Sequence, residues 1–370
     1  MSATLPAEAA PHTARTERIP VAILGATGSV GQRFIQLLEH HPWFRVHEVV
    51  ASDRSAGKTF AEAADWRLET LVPDDVARMT VRSLGAELES KIVFSGLDSS
   101  VAGEAEDDYA NRGCAVISNS KNHRMDPDVP LLIPEVNAEH LDAIEQQRNR
   151  RGSPGYIVTN PNCSVMGLAI ALAPLHRAFG VEAVHVTTMQ AISGAGYAGV
   201  PSYAILDNVI PYIGGGEEEK IELEPRKILG EWSAGETETG GKFADAPIAI
   251  SAQVNRVSTI DGHLMTISAK LRHKASLDVI REALESFAGE PQRLGLPTAP
   301  KRAIHYIDAP DRPQPRLDRD RERGMAVSVG RLRNCPLLDF RMVALVHNTI
   351  RGAAGAAILN AEVLEARGML

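Results

Sequence analysis

The first part of the chain alternates short apolar runs with segments whose apolar residues recur at helical spacing. The run PVAILG leads into a Gly-rich stretch, after which Phe34, Leu37 and Leu38 follow one another at helical spacing. Further apolar runs in FRVHEVVAS, KIVFSG and GCAVISN each stop at Ser, Gly or Asn. This alternation predicts strands joined by helices, and therefore a parallel sheet in a doubly wound α/β domain.

The pattern changes near residue 160, where the apolar runs become longer and alternate with polar residues. Examples are VEAVHVTTMQAIS, PIAISAQVNRVSTIDGHLMTISAKL and RGMAVSVGRLRNCPLLDFRMVALVHN, which are typical of a half-buried mixed or antiparallel sheet. We therefore predict one domain over residues 19–159 and a second α/β domain with a mixed sheet over 160–346. The Ala-rich segment 347–370 is expected to form a helix that packs back on the first domain, and residues 1–18 are interpreted as a disordered tail.

Composition narrows the class of protein. A chain of 370 residues exceeds the usual size of one hydrophobic core, which agrees with two domains. The net charge of -8 and pI near 5.9 argue against nucleic acid or an anionic membrane as partner, because those surfaces select for clustered Lys and Arg. No run reaches the roughly 18 apolar residues of a membrane span. Cys114, Cys163 and Cys335 show no paired spacing, so we predict no metal site and a reducing cytoplasm.

The stretch ILGATGSVGQ places three glycines directly after a predicted strand and at the start of a predicted helix. Such glycines allow a tight turn and let backbone N–H groups approach a pyrophosphate, while the helix N-terminus favours negative charge. A Gly-rich turn without a ligand is the alternative, and the strand and helix context favours binding. We therefore predict a Rossmann-like dinucleotide-binding domain with the cofactor held by Gly25, Thr27, Gly28, Ser29, Val30 and Gly31.

The loop after the second predicted strand bears on the choice of dinucleotide. An NAD-binding domain usually places an acidic residue there to accept hydrogen bonds from the ribose hydroxyls. Here the loop offers Ser52, Arg54 and Ser55, with Lys58 close behind. Two hydroxyls and two cations suit a 2′-phosphate, although Asp53 favours the other cofactor. The loop therefore predicts NADP.

Cys163 follows the turn Asn-Pro-Asn and begins an apolar segment predicted to be helical up to Gly180. A helix N-terminus stabilises a thiolate, so this position predicts a nucleophile with a lowered pKa. Cys114 and Cys335 are better explained as small structural residues. A thiol nucleophile needs a partner base, and His263 is the candidate because it follows an Asp-Gly turn at the head of an alternating strand. Position alone leaves open whether His263 is catalytic or structural.

Several long stretches resemble aspartate-β-semialdehyde dehydrogenases of the archaeal and fungal branch. They occur in the family's order from about residue 19 to the C-terminus: GATGSVGQRF, SNSKNHRMDPDVPLLIPEVN, TNPNCS, TMQAISGAGYAGVPS, DNVIPYIGGGEEEKIELEPRKILG, NRVSTIDGH and VHNTIRGAAGAAILNAE. The resemblance implies NADPH-dependent reductive dephosphorylation of L-4-aspartyl phosphate to L-aspartate 4-semialdehyde through a cysteine thioester. It implies that Cys163 is the nucleophile and that His263 is the acid/base residue.

The same resemblance implies roles for further residues. Arg256 would hold the α-carboxylate, for which a planar bidentate donor is well suited. Glu217, with Glu218 and Glu219 left open as alternatives, would lie near the substrate amino group. The resemblance also implies a homodimer or homotetramer assembled through the second domain. The remaining residues that it implies are Lys220, Arg124 and Asn119 near the phosphate, Gln190 orienting the acyl group, and Ser193, Gly194 and Asn348 beside the nicotinamide.

Two departures from the family pattern leave alternatives open. Apolar residues replace polar ones after Cys163, in Val165-Met166, and after His263, in Leu264-Met265. A reductase resembling malonyl-CoA reductase shares the fold, the cysteine and the histidine but acts on a thioester. A nucleotide-binding sensor without catalysis is the second alternative. Retention of NPNC and EEEK favours the aspartyl phosphate reaction.

Overall fold

The computed structural model describes residues 17–235 and 240–370. Most of the predicted tail, residues 1–16, lies outside this range. The first sheet is entirely parallel, with strand order β3-β2-β1-β4-β5-β6. Its strands are β1 Ile19–Leu24, β2 Phe44–Ala51, β3 Arg82–Ser83, β4 Ile92–Ser95, β5 Ala115–Ser118 and β6 Tyr156–Thr159. The accompanying helices are α1 Ser29–Leu38, α2 Phe60–Ala63, α3 Asp74–Ala77, α4 Ser99–Asn111, α5 Pro134–Asn137 and α6 Ala143–Arg151, with a 3₁₀ turn at Ala138–Asp142.

The second sheet is mixed, with strand order β10-β7-β11-β14-β13-β12, and a separate hairpin pairs β8 with β9. The strands are β7 Val181–Gln190, β8 Glu231–Ser233, β9 Lys242–Ala244, β10 Ala249–Arg256, β11 His263–Leu271, β12 Ile304–Ile307, β13 Val327–Asn334 and β14 Phe340–Val346. The helices are α7 Cys163–Phe179, α8 Ser202–Ile205, α9 Glu217–Ile228, α10 Leu277–Glu285, α11 Glu290–Leu294, α12 Pro315–Asp318 and α13 Gly355–Ala366, with short 3₁₀ turns at Ile192–Ala195 and Arg321–Gly324 and a π-helical turn at Ile350–Ala354.

Helix α7 connects the two sheets and fixes the position of Cys163. It begins four residues after β6 ends, so its N-terminus lies at the carboxyl edge of the first sheet. The rest of the helix runs into the second core, where residues 164–175 are all buried. Gly167 allows a close approach, because a Cβ there would stand 2.9 Å from the Cβ of Val346 on β14. Packing of α7 on the second sheet therefore leaves its first residue facing the junction.

The C-terminal helix α13 is buried on all sides over residues 355–364. Its apolar residues belong to the core of the first sheet, where Leu359 and Val363 join Ile117 and Val158. Among residues 17–235 and 240–370, no helix is long and apolar enough to cross a membrane. The mixed sheet and the parallel sheet confirm the predicted fold class.

A buried ion pair anchors the turn that precedes α13. The Arg351 guanidinium lies 2.6 Å from the Glu135 carboxylate on α5, and both side chains are fully buried. Arg367, at the other end of the C-terminal segment, forms a pair of the same kind with Glu290, but both partners are partly exposed. The two pairs have the same chemistry and differ in exposure to water.

Changing Arg351 to Met should destabilise the protein strongly, because the Glu135 carboxylate would stay buried without its cation. We expect a loss of about 3–5 kcal/mol in the free energy of unfolding. The matched change of Arg367 to Met should cost no more than about 1 kcal/mol, since water screens that pair. Urea denaturation of both variants checks this, and equal losses would contradict it.

Candidate active site

A cavity of about 660 Å³ opens at the carboxyl edge of the first sheet, against α7, α9 and the turn after β7. Chain segments that are far apart in sequence meet there. It brings together most of the predicted catalytic and substrate-binding residues and part of the predicted cofactor site. The predicted residues that line it are Ser29, Val30, Asn119, Arg124, Cys163, Gln190, Ser193, Gly194, Glu217, Lys220, Arg256 and Asn348.

The other predicted residues lie beside or behind this cavity and do not line it. His263 is fully buried behind Cys163. Gly25, Thr27 and Gly28 lie in the turn between β1 and α1 that leads to the cavity edge, and Gly31 lies in the first turn of α1. Farther out, the loop after β2 carries Ser52, Arg54, Ser55 and Lys58.

The turn after β1 has the geometry of an anion-binding cradle. Gly25 has φ +72, and a Cβ there would stand 2.8 Å from the carbonyl oxygen of Gly96. A Cβ on Gly31 would stand 2.2 Å from the Gly25 oxygen, so both positions require glycine. Gly28 caps α1 without a side chain, which leaves the first N–H groups of the helix without a side-chain acceptor. A pyrophosphate fits this arrangement.

The loop after β2 lies at the same edge of the sheet as this turn, because β2 runs parallel to β1. Ser52, Arg54 and Lys58 are exposed, and the Ser55 N–H donates to the Ser52 carbonyl at 2.8 Å. The two exposed cations, Arg54 and Lys58, therefore lie on the side of the turn where the adenosine ribose of a bound dinucleotide would lie.

Cys163 and His263 are in direct contact. The Cys163 Sγ lies 3.2 Å from His263 Nε2, and His263 Nδ1 accepts a hydrogen bond of 3.0 Å from the Ala191 backbone N–H. Cys163 is the first residue of α7, and the preceding Asn162 caps the helix by accepting from the N–H groups of Ser164 and Val165. The cysteine and the histidine that the sequence analysis paired are therefore in contact in the structure.

The expected lowering of the Cys163 pKa is wrong for the unliganded protein. Burial raises the pKa of the Cys163 thiol to about 12, and the Glu217 carboxylate acts in the same direction. Arg124 and Arg256 oppose the rise. The Asn162 side chain already occupies two of the N–H groups that were expected to support a thiolate. These influences together favour the neutral thiol form of Cys163.

Glu217 is the member of the acidic run that lines the cavity. Its Oε1 accepts from Asn162 Nδ2 at 2.8 Å and from Gln190 Nε2 at 3.1 Å. Its Oε2 accepts from Lys220 Nζ at 3.2 Å. Glu218 instead accepts from the Val254 N–H on β10, and Glu219 is exposed.

Arg256 ends β10 and reaches the turn that follows β7. Its NH1 donates to the Ala191 carbonyl at 2.7 Å, and the side chain is mostly buried. A Cβ on Gly194 would stand 2.8 Å from Arg256 NH1 and 3.1 Å from His263 Cε1. The absence of a side chain at position 194 thus lets the turn pack closely against both side chains. Asn348 donates to Ser193 Oγ at 2.8 Å and holds the same turn.

Arg124 lines the cavity but is already paired with a residue that the sequence reasoning missed. Its NH1 lies 2.8 Å from Glu224 Oε1, and its NH2 donates to the Asn119 carbonyl at 2.9 Å. Glu224 Oε2 also accepts from the Asn162 N–H at 2.6 Å. One carboxylate thus joins the arginine to the residue before the cysteine. Glu224 lies seven residues after Glu217, which places the two side chains on the same face of a helix, and this spacing in the sequence could have identified Glu224.

Gly352 is a second residue that the sequence reasoning missed. A Cβ there would stand 2.8 Å from the Cβ of Cys163. The turn before α13 therefore packs directly on the cysteine, and this contact carried no local signal in the sequence.

Three of the four apolar residues in the departures from the family pattern belong to the core, and the fourth, Leu264, is partly exposed but does not line the cavity. Val165, Met166 and Met265 are fully buried in the cluster around the second sheet and do not line the cavity. None of these side chains faces the cavity, so they do not change the groups that a substrate in the cavity would contact. The reason for the thioester-reductase alternative is thereby removed.

The fold and this site define an oxidoreductase of the two-domain, dinucleotide-binding dehydrogenase class. Residues 20–144 match the model for the semialdehyde dehydrogenase NAD binding domain, and residues 172–351 match the model for the semialdehyde dehydrogenase dimerisation domain. The chain belongs to the aspartate-semialdehyde dehydrogenase family.

Curated relatives with this name are similar over nearly their whole length. The aspartate-semialdehyde dehydrogenase of Schizosaccharomyces pombe is 50% identical over 357 residues, which cover 95% of this chain and 99% of the relative. That of Methanothermobacter thermautotrophicus is 48% identical over 350 residues, covering 94% and 99%. The crystal structure of the Candida albicans enzyme with NADP matches with a TM-score of 0.87 and 45% identity, covering 96% of this chain and 100% of that one.

Alkylation should reveal the raised pKa of Cys163. Because that pKa is raised, the thiolate fraction grows about tenfold per pH unit through the neutral and mildly alkaline range, and the rate of modification by iodoacetamide should grow with it. Cys335 is the internal control, since a backbone hydrogen bond from Leu338 lowers its pKa, and it should react first at neutral pH. Mass spectrometry of the two cysteine peptides measures both rates. A rate at Cys163 that stays constant below about pH 8 would mean a preformed thiolate.

Proposed function

We propose that this protein catalyses the NADPH-dependent reductive dephosphorylation of L-4-aspartyl phosphate to L-aspartate 4-semialdehyde, and the reverse reaction. One observation carries the proposal: the Cys163 to His263 contact lies among charged groups that match every charged part of this substrate. The cavity has cations on two sides and a buried carboxylate between them. A substrate with one carboxylate, one ammonium and one phosphate is complementary to that pattern.

The substrate carboxylate is assigned to Arg256, whose planar guanidinium suits a bidentate acceptor. NH1 of Arg256 is engaged with the Ala191 carbonyl, which fixes the direction of the rest of the group. The ammonium group is assigned to Glu217, and the phosphate is assigned to Arg124, Lys220 and Asn119. Arg124 Nε is buried and has no hydrogen-bond partner among the described residues, so it is available to a phosphate oxygen.

The reaction assigned to the chain's own residues is acyl transfer to sulfur followed by release of an aldehyde. The Cys163 sulfur forms a bond to the acyl carbon, and phosphate leaves. Gln190, held by Glu217 and Thr188, lies beside the sulfur and is assigned to orient the acyl group. His263 contacts the same sulfur and is assigned as the acid/base residue that takes the thiol proton.

The dinucleotide is assigned to the turn after β1 and the exposed loop after β2. NADPH, when bound, supplies the hydride that reduces the thioester. The cradle formed by Gly25 and Gly31 suits the pyrophosphate, while Arg54 and Lys58 suit a 2′-phosphate. Ser193, Gly194 and Asn348 are assigned to the nicotinamide side, because they line the cavity next to Cys163.

Domain limits and assembly complete the proposal. We place the boundary of the first domain near residue 159, supported by the end of the parallel sheet at Thr159, and we assign 347–370 to that domain because α13 packs in its core.

Self-association as a homodimer or homotetramer is assigned to the second domain. On β7 the side chains at 183, 185, 187 and 189 are partly or fully exposed, which leaves one face of the mixed sheet open. The cytoplasm is the expected compartment, and neither nucleic acid nor a membrane is an expected partner.

The test is reduction of NADP by the purified protein given L-aspartate 4-semialdehyde, with and without inorganic phosphate. Turnover that requires phosphate is expected, because the reverse reaction ends on an acyl phosphate. Malonate semialdehyde with coenzyme A is the matched control. Activity with that pair alone would make the protein a thioester reductase, and no activity with either would favour a sensor. A Cys163→Ala variant should lose turnover and keep NADP binding.

Changing Arg256 to Lys should lower kcat/KM for aspartate semialdehyde by about 10- to 100-fold. The physical reason is that an ammonium group cannot reproduce the paired donors of a guanidinium, and hydrogen bonds between charged groups contribute about 1.5–3 kcal/mol. Arg272→Lys is the control, since Arg272 lies beyond the end of β11 with a half-exposed side chain that faces Glu182. Steady-state kinetics of both variants measure the effect. Unchanged kinetics for Arg256→Lys would remove this residue from the carboxylate site.

A further inference from the structure

Tyr197 belongs to the turn after β7, in the second domain, but its side chain contacts the first domain. The guanidinium of Arg67, in the loop after α2, lies over the Tyr197 ring at 5.6 Å from the ring centroid. The Tyr197 hydroxyl is buried and has no hydrogen-bond partner among residues 17–235 and 240–370. The aromatic ring, and not the hydroxyl, therefore makes this contact between the two domains.

The turn that carries Tyr197 is fixed within its own domain and lies against the start of α1. The Ser193 N–H donates to the Ile260 carbonyl at 3.1 Å. Gly196 has φ +71, a conformation that favours glycine, and a Cβ there would stand 3.9 Å from Ser29 Oγ. Ser29 is the first residue of α1. The turn thus brings Tyr197 beside the helix whose N-terminus faces the dinucleotide.

In the first domain, Arg67 is connected to the glycine turn through Gln32 on α1. Gln32 Oε1 accepts from the Arg67 N–H at 3.1 Å. Gln32 Nε2 donates to the carbonyls of Thr27 and Asp65, at 3.1 and 2.9 Å. Gln32 is fully buried, and the Asp65 carboxylate also accepts from Arg67 Nε at 2.9 Å. The cation over the Tyr197 ring is therefore held by the side chain that also holds the pyrophosphate cradle.

The charges near Tyr197 favour this contact. Burial raises the pKa of Tyr197 to about 12, and Arg67 and Arg33 act in the opposite direction. Both arginines belong to the first domain, with Arg33 on α1. The hydroxyl is thus neutral at physiological pH, and the face of an aromatic ring attracts a cation. The contact requires the ring and the guanidinium, and it does not require an ionised hydroxyl.

We propose that Tyr197 is a positioning residue for the dinucleotide, because its contact with Arg67 holds the turn at residues 193–194 in register with the pyrophosphate cradle. Both halves of the dinucleotide site are then aligned before the ligand binds, which lowers the cost of ordering them. Tyr197 does not line the cavity, so it acts through the turn. This inference rests on the proposed function for the placement of the nicotinamide beside residues 193 and 194.

The test compares the binding of two ligands by calorimetry, NADP and adenosine 2′,5′-bisphosphate. The second ligand has the adenosine half with its two phosphates and lacks the nicotinamide. We expect Tyr197→Ala to weaken NADP binding by about tenfold, the effect of losing a partly desolvated cation–π contact, and to leave binding of the bisphosphate unchanged. Tyr197→Phe keeps the ring and should bind NADP like the original protein. Equal losses for both ligands, or unchanged NADP binding by Tyr197→Ala, would overturn the proposal.

A matched control and a double variant complete the experiment. Arg281 lies over the Tyr306 ring at 4.5 Å, and both residues belong to the second domain, so Tyr306→Ala should not change the binding of either ligand. Arg67→Met should reproduce the effect of Tyr197→Ala. The double variant should bind NADP no more weakly than either single variant, because both changes remove one contact. Additive losses would contradict the inference. Absence of phosphate-dependent turnover alone would count against the proposed function and leave the binding comparison standing.

Discussion

Buried carboxylates on α9 hold the cavity together. Glu217 and Glu224 lie two helical turns apart, and each is almost fully removed from water. Such burial is tolerable only when every charge is compensated. Glu217 accepts from three side-chain donors, and Glu224 accepts from the Arg124 guanidinium and from the backbone N–H that precedes the cysteine. The cations that would face a substrate are therefore oriented before any substrate arrives.

The same helix also fixes the loop that carries Arg124. Lys227 donates from Nζ to the backbone carbonyls of residues 124, 126 and 129, at 2.8, 2.8 and 2.9 Å. Burial lowers the pKa of Lys227 to about 8, and Asp126 opposes that shift. Because all three hydrogens of this buried ammonium group are donated to one loop, Lys227 fixes the conformation of that loop. Helix α9, which packs on the second sheet, thus fixes the loop that follows β5 of the first sheet, and the cavity between the helix and that loop is built from rigid elements.

What the sequence predicted well has local causes. The glycine turn, the start of α7 at Cys163 and the head of β11 at His263 each follow from residues within a few positions. The interactions missed are long-range, since Arg124 and Glu224 are 100 residues apart, and Gly352 meets Cys163 only through the packing of the turn before α13. The sign of the Cys163 pKa shift was wrong for the same reason. A helix N-terminus is visible in the sequence, whereas burial belongs to the tertiary structure.

The raised pKa of the Cys163 thiol makes it important which groups stabilise the sulfur anion during the reaction. Arg124 and Arg256 are the positive groups that favour a sulfur anion in the free protein. If substrate places its phosphate and carboxylate on these arginines, their charge is largely neutralised at the moment the thiolate is needed. His263 Nε2 lies 3.2 Å from the sulfur, and neither charged end of the proposed substrate is assigned to it, so the imidazole stays available to the sulfur at that stage. The Ala191 N–H holds the imidazole from its other side, in a site closed by Gly194 and Gly352, so the position of the ring costs no reorganisation during the reaction.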